Sequence, residues 1–217
     1  MTERSSEPSA AASAVPCKVR ALDAHDRRTM VATTARAFAI DPLFDHFTTD
    51  LLVAHRSLPA FFAPSIRDLA DHGRCWVADQ DGRARGIAAW LHPEGYPRGS
   101  KRETLLTLRT SPAFVRVHDR VGGLRLFAAV EAAHPKDPHW YLGLLAVDPT
   151  LQGKGVGTLL IQPGLDAADE QGLPCYLETQ KESNLAWYGR FGFELTKTIK
   201  IGDVPPVWCL RRPARER

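Results

Sequence analysis

The sequence predicts a single α/β domain built on a mixed sheet. Three observations carry that prediction. Strand-like patterns of period two and helix-like patterns of period about 3.6 follow one another along the chain. One short, nearly all-apolar run, Tyr141 to Val147, reads as a central strand buried on both faces. The chain has 217 residues, 44% hydrophobic and 24% charged, enough for one domain with a sizeable core.

Residues 1–16 are rich in Ser and Ala, with Glu and Pro and no apolar stretch, which argues against a secretory signal and predicts a disordered leader. The domain is expected over 17–210, followed by a solvated basic tail over 211–217. Cys17 to Leu22 alternates and predicts a first strand. Asp23 or Asp26 can cap the helix that follows, up to about Ile40, with Val31, Ala35 and Phe38 on one face. Asp41-Pro42 stops it, and Leu43 to Phe47 predicts another turn. Asp50 to about Asp71 is a longer helical pattern interrupted by Pro59 and Pro64. Arg74 to Asp79 and Ala84 to Leu91 predict a hairpin turning at Asp81-Gly82. His92 to Ser100 is loop. Lys101 to Ala133 is a helical insert, with a break expected near Gly122-Gly123.

After the central strand, Asp148-Pro149 ends the ladder. Then comes Gln152-Gly-Lys-Gly-Val-Gly157, and directly after it the apolar helix opening Thr158 to Ile161. Glycines between a strand and a helix let a ligand approach the main chain, and the free N–H groups of the helix favour an anion there. Phosphate or pyrophosphate is the natural ligand; the bland reading is a glycine-rich turn with none. The Walker pattern fails, because no glycine stands at Asp148 and Gly155 follows Lys154. The dinucleotide fingerprint fails at Thr158 and Leu160. What remains is Gln-x-x-Gly-x-Gly, with Gln152, Gly155 and Gly157 as its members. Pro163 predicts a kink or a broken first turn in this helix, which resumes over Asp166 to Gln171 and ends at Gly172. Leu173 to Thr179 predicts a second strand. Asn184 to Phe193 predicts a short helix closed by Gly192, with Asn184 and Tyr188 on one face. Glu194 to Ile201 and Val207 to Leu210 predict two closing strands joined by a turn over 202–206.

The Gln-x-x-Gly-x-Gly loop resembles the acyl-CoA loop of the GNAT N-acetyltransferases. Asn184, Tyr188 and Gly192-Phe193 resemble that family's second signature. The two signatures stand in the family's order and cover Trp140 to Phe193. The resemblance implies a mostly antiparallel central sheet with splayed central strands. His134-Pro-Lys-Asp-Pro138, Gln162-Pro-Gly-Leu165, Leu177-Glu-Thr179 and Val207-Trp-Cys209 are similar to the puromycin N-acetyltransferase branch. The N-terminal half departs from that branch, with Asp41 where the branch has a tyrosine.

The resemblance implies transfer of an acetyl group from acetyl-CoA to a primary amine. It places the pyrophosphate on the loop and first helical turn, at Gln152, Gly153, Lys154, Gly155, Val156, Gly157 and Thr158. Asn184 is then a contact of the coenzyme arm. The backbone of Leu145, Ala146 and Val147 would hold the thioester carbonyl. Tyr188 would return a proton to the leaving thiolate, its alternative being a packed helix-end tyrosine. Glu178 or Asp41 would take the amine's proton; Glu178 could instead only bind a cationic substrate. Phe44, Phe47, Trp90, Trp187 and Trp208 are candidate walls of an acceptor pocket, and His46 and His118 further possible bases. A small-molecule acceptor, with antibiotic detoxification or self-resistance as the setting, is the leading expectation. A peptide or protein acceptor and a non-catalytic CoA-binding module are the alternatives.

Cys17, Cys75, Cys175 and Cys209 are isolated, which fits a reducing cytoplasm and no metal site. The net charge of +3 is too mild to argue for nucleic acid. No apolar run approaches a membrane span. The expected state is a monomer or homodimer.

Overall fold

The computed structural model describes residues 17–48, 50–115 and 117–215, so the expected leader over 1–16 lies outside the described residues. Among the described residues, seven strands make one sheet: β1 (Lys18–Ala21), β2 (Arg74–Gln80), β3 (Arg83–Leu91), β4 (Trp140–Val147), β5 (Cys175–Thr179), β6 (Glu194–Ile201) and β7 (Val204–Arg212). Their spatial order is β1-β2-β3-β4-β5-β7-β6. Only β4 and β5 run parallel; the other neighbouring pairs are antiparallel.

Helices cover both faces of the sheet. α1 (Asp26–Phe38) and α3 (Leu51–His72) pack on one side, and α6 (Val156–Gln171) and the short α7 (Ser183–Gly189) on the other. α2 (Pro42–Thr48), α4 (Ser100–Thr110) and α5 (Arg120–Ala133) complete the first side, with α2 and α5 against β6 and β7. Strand alternation sorts the core. Ala88 and Trp90 of β3 face α6, while Ile87, Ala89 and Leu91 face α1 and α3. β4 breaks this rule. Its register against β3 skips Gly143, so Trp140 and Leu142 face α6, whereas Leu144 and Ala146 face α1 and α3. A bulge of one residue turns every later side chain to the other face. The strand expected to be buried on both faces therefore has alternating buried and half-buried positions.

Several expected boundaries move for physical reasons. α1 starts without a side-chain cap at His25. Asp26 is its first residue, and the carboxylate accepts from Asp23 N–H (3.0 Å) and pairs with Arg20 (2.6 Å). α3 runs unbroken through Pro59 and Pro64, and α6 through Pro163. An interior proline costs roughly 3 kcal/mol. Buried helix faces offset it, at about 1.5–3 kcal/mol for each fully buried large side chain. In α3 that face is Ala54, Ser57, Leu58, Phe62, Ile66 and Leu69, at helical spacing. In α6, Leu160, Ile161, Leu165 and Ala168 pack on either side of Pro163.

The insert breaks between Phe114 and Arg120, not at Gly122-Gly123. Asp119 caps α5 by accepting from Gly122 N–H (2.9 Å), and any Cβ at Gly122 would collide with that carboxylate. The last turn shrinks to Gly202-Asp203, because Val204-Pro-Pro206 already belongs to β7. The prolines are tolerated because β5 pairs with β7 only from Trp208 onward. β7 also runs past Leu210, so Arg211 and Arg212 are strand rather than tail. Arg212 is buried and bidentate on Asp169 of α6, at 2.7 and 2.8 Å. No helix of the described residues is long and apolar enough to cross a membrane.

Candidate functional site

β4 and β5 share only two registered pairs, Trp140 with Cys175 and Tyr141 with Tyr176. Beyond Tyr141 the two strands part, and the edge of β4 that faces β5 has no ladder partner. Unpaired main-chain groups are obligatory hydrogen-bonding groups that a ligand can satisfy. The wedge opens into a cavity of about 230 Å³. Its walls come from α1, α2, α3, the insert, β4, β5 and α7. Leu142 to Leu145 line one side, and Glu178, Thr179, Asn184 and Tyr188 the other. Phe38, Phe44, Phe47, Phe61, Phe62, Phe114 and Phe127 supply the apolar wall. These rings are coupled, with Phe38 to Phe44 at 5.5 Å edge to face, Phe44 to Phe62 at 5.4 Å and Phe61 to Phe114 at 6.0 Å edge to face.

At the outer end of β4 lies the glycine loop. Asp148 ends the strand and accepts from Thr150 N–H (3.0 Å) and from the Thr150 hydroxyl (2.7 Å). Gln152 ties the loop back by donating from Nε2 to the Val147 carbonyl at 3.1 Å. Gly153 and Gly155 have φ of +75° and +83°, which a side chain adopts only under strain. Gly155 is the N-cap of α6 and has no side chain to satisfy the first-turn N–H groups. Those groups, at Val156, Gly157 and Thr158, are the part of the loop able to hold an anion.

The polar end of the cavity is buried. Glu178 has a side chain only 7% exposed, with His134 Nδ1 at 3.3 Å from Oε1. Oε1 nonetheless has no aligned hydrogen-bond donor. Tyr141 lies beside Glu178; burial first and that carboxylate second push its hydroxyl well above the usual tyrosine range. Burial also pushes the Tyr188 hydroxyl up, so it stays protonated at neutral pH. Asp41 is buried, which raises its carboxyl despite bonds from the backbone of Leu43 and Phe44 and the nearby Lys181. Its Oδ1 already accepts from Leu43 N–H at 3.1 Å, at the start of α2. Asn184 Nδ2 donates to Thr179 Oγ1 at 2.8 Å, joining α7 to the end of β5.

Seven of the residues singled out from the sequence meet here. Asp41, Phe44, Phe47, Leu145, Glu178, Asn184 and Tyr188 line one cavity. Trp90 does not. It is fully buried on the opposite face, where a Cβ on Gly164 of α6 would meet its ring at 2.2 Å. Trp187 and Trp208 pack at the border of the α6-side core instead of in the cavity. His46 and His118 lie off the cavity, with His46 Nε2 3.6 Å from Asp119. Sequence reasoning missed Tyr141, the insert's Phe114 and Phe127, and the pair His134 and His139. The histidines stand five residues apart just before the central strand, a spacing with no helical or strand period to flag it.

Known proteins share this architecture. The profile of the acetyltransferase (GNAT) family matches residues 40–193. An uncharacterized N-acetyltransferase of Schizosaccharomyces pombe is 36% identical over 86 residues, 37% of this chain and 35% of that one. A mycothiol acetyltransferase of Thermobifida fusca is 28% identical over 150 residues, 65% of this chain and 42% of that one. The aligned segments thus span well under half the length of either curated relative. The crystal structure of histone acetyltransferase HPA2 and related acetyltransferase from Corynebacterium glutamicum superposes with a TM-score of 0.68 and 26% identity, covering 93% of this chain and 98% of that one. The profile takes in well over half of the 217 residues and both halves of the wedge, and on that match the chain belongs to the GNAT acetyltransferase family.

Proposed function

We propose that this protein transfers the acetyl group of acetyl-CoA to the primary amine of a small molecule with an apolar, ring-bearing body. One observation carries the reading. The cavity joins a wall of phenylalanines to a buried carboxylate whose Oε1 lacks an aligned donor, beside the unpaired edge of β4. A buried acceptor without a partner costs about 1–3 kcal/mol, more when charged, and an ammonium removes that cost. The volume of about 230 Å³ is below the roughly 300–1,000 Å³ of drug-sized pockets. That favours a small amine over a peptide chain or a puromycin-sized antibiotic. The resemblance to the puromycin branch keeps antibiotic detoxification as a setting to test.

In this reading each group has one task. The glycine loop and first turn of α6 hold the pyrophosphate, and Asn184 the coenzyme arm. The backbone of Leu145, Ala146 and Val147 holds the thioester oxygen as charge develops. Glu178 takes a proton from the bound ammonium. The amine then attacks, and Tyr188, kept protonated by burial, gives its proton to the leaving thiolate. The Asp41 carboxyl stays a helix cap and a wall of the site.

The test is thiol release from acetyl-CoA with 2-phenylethylamine, putrescine, puromycin and a short peptide. Turnover is expected to be fastest with 2-phenylethylamine. Tyr188→Phe should lower kcat by about 10²–10⁴-fold with acetyl-CoA binding retained. Silence across the panel with acetyl-CoA still bound would replace the enzyme by a CoA-binding module.

A further inference from the structure

Glu178 is the inner end of a chain of buried groups that reaches back into the fold. His134 follows α5, and its Nδ1 lies 3.3 Å from Glu178 Oε1. Its Nε2 lies 2.9 Å from Nε2 of His139, and His139 Nδ1 lies 2.7 Å from the Asp137 carbonyl. Both histidines are buried, at 8% and 4% exposure. The hydrogen positions follow by elimination. A carbonyl only accepts, so His139 Nδ1 carries the hydrogen. Burial, ahead of the other influences on it, pushes the His139 imidazole toward its neutral form, so its Nε2 is a lone pair. His134 Nε2 must then donate. The one ring nitrogen left with a choice is His134 Nδ1, and it faces the carboxylate.

We propose that His134, locked in this tautomer by His139, is a positioning residue that withdraws the amine's proton from Glu178 during acetyl transfer. The inference rests on the proposed function, and specifically on Glu178 as base. With no proton between them, a carboxylate oxygen and an imidazole lone pair repel at 3.3 Å. One proton on His134 Nδ1 turns the contact into an ion pair at that distance. The arrangement is thus built to take up a single proton. The orienting logic is that of a base held by a third group.

The balance is simple. The substrate ammonium gives one proton to Glu178, which passes it to His134 Nδ1. The freed nitrogen pair forms the C–N bond at the thioester carbonyl carbon. The C–S bond breaks with its pair on sulfur, Tyr188 protonates that thiolate, and the nitrogen's surplus proton restores Tyr188. Ammonium plus thioester give amide, thiol and one proton, and that proton is the one His134 holds. Without such a sink Glu178 would stay protonated beside the product.

The surroundings fit a ring that changes charge. Tyr96 stacks on His134 with centroids 3.8 Å apart, and Tyr176 and Tyr141 meet it edge to face at 4.6 and 4.7 Å. Aromatic faces stabilise a cation. Tyr96 is itself fixed by donating to Glu131 Oε2 of α5 at 2.6 Å. Arg98 lies over the Tyr96 ring, 5.6 Å from its centroid, and Arg211 pairs with Asp137, two residues before His139. Glu178 is the carboxylate in direct contact with His134, Glu131 reaches it only through Tyr96, and Cys209 borders Tyr176.

The experiment uses the full chain in two measurements. Steady-state kinetics against pH compare wild type, His134→Gln, Glu178→Gln and the double variant. His134→Gln should lower kcat by about 10²-fold and change the pH profile, with acetyl-CoA affinity within about twofold of wild type. The double variant should be no slower than Glu178→Gln, because the two residues act as a unit. Unchanged kcat and pH profile in His134→Gln, or additive losses in the double variant, would overturn the proposal. The second measurement is ¹⁵N-histidine NMR, which does not depend on turnover. The ¹⁵N signal of His134 Nδ1 in wild type should differ from that in Glu178→Gln; an identical signal in both overturns the shared proton. If wild type turns over no amine, the enzyme reading falls, and the NMR still decides the pair. If His134→Gln does not fold, His139→Phe in the same NMR should release the tautomer; an unaltered His134 signal there also overturns the proposal.

Discussion

The two halves of the wedge are built differently. The side proposed for the coenzyme is nearly continuous in sequence, from Trp140 to Phe193, and its key geometry is local: the two positive-φ glycines of its loop, a capped strand end and a short helix. The acceptor side is assembled from α1, α2, α3, the insert and two strands, between Phe38 and Tyr188. The first half depends on backbone conformation, the second on which side chains the tertiary fold brings together. A local motif can therefore announce a coenzyme site while saying little about what the coenzyme acylates.

The largest effect that would break this division is at Glu178. Glu178→Gln should reduce kcat by about 10²–10⁴-fold and leave acetyl-CoA affinity unchanged, measured by thiol release and calorimetry. If both constants fall together, the two halves are not separable.

Next in size is the scaffold of the acceptor side. Asp68 of α3 holds Arg102 at 2.7 Å and Arg98 at 3.2 Å, tying the insert and its approach loop to α3. Asp68→Asn leaves two largely buried guanidinium groups short of a partner and should cost about 3–5 kcal/mol in chemical denaturation. Burial works to raise the Asp68 carboxyl, but the hydrogen bond from Arg102 and the charges of both arginines hold it below the usual carboxylate range. A lowered acid contributes stability above its unfolded pKa and loses it as pH falls through the lowered one. The gap between wild type and variant should therefore hold from pH 7 down to about pH 4 and narrow below it.

On the coenzyme side the matching probe is Gly155→Ala. A side chain at φ +83° costs roughly 1–2 kcal/mol, or about tenfold in acetyl-CoA affinity if the loop relaxes. The KM for the amine should not move, and a parallel rise in it would show the halves to be coupled.

The smallest effect has the opposite sign. Asp41 is raised by burial, so its ionised form is disfavoured in the folded protein and its protonation stabilises the fold as pH falls. Asn caps a helix about as well as Asp. Asp41→Asn should leave the melting temperature at pH 7 unchanged or slightly higher, with turnover retained; loss of turnover would make Asp41 the base.

The sequence alone determined the α/β class, the strand–loop–helix around the glycine loop and the placing of Asn184 and Tyr188 on one helix face, because those features are written in contiguous residues and in periods of 2 and 3.6. It predicted interruptions at Pro59, Pro64 and Pro163 that the folded helices do not have, since each local penalty was outweighed by burial against the sheet. It put Trp90 in the acceptor pocket, but the space left by Gly164 of a distant helix draws that ring into the core. Only the tertiary structure decided the rest. The loss of pairing after Tyr141 opens the wedge, the skipped Gly143 turns β4 over, and alternation on β5 sets Tyr176 and Glu178 on the face where His134 stands. Those contacts join residues far apart in the chain, and burial rather than local conformation selects them.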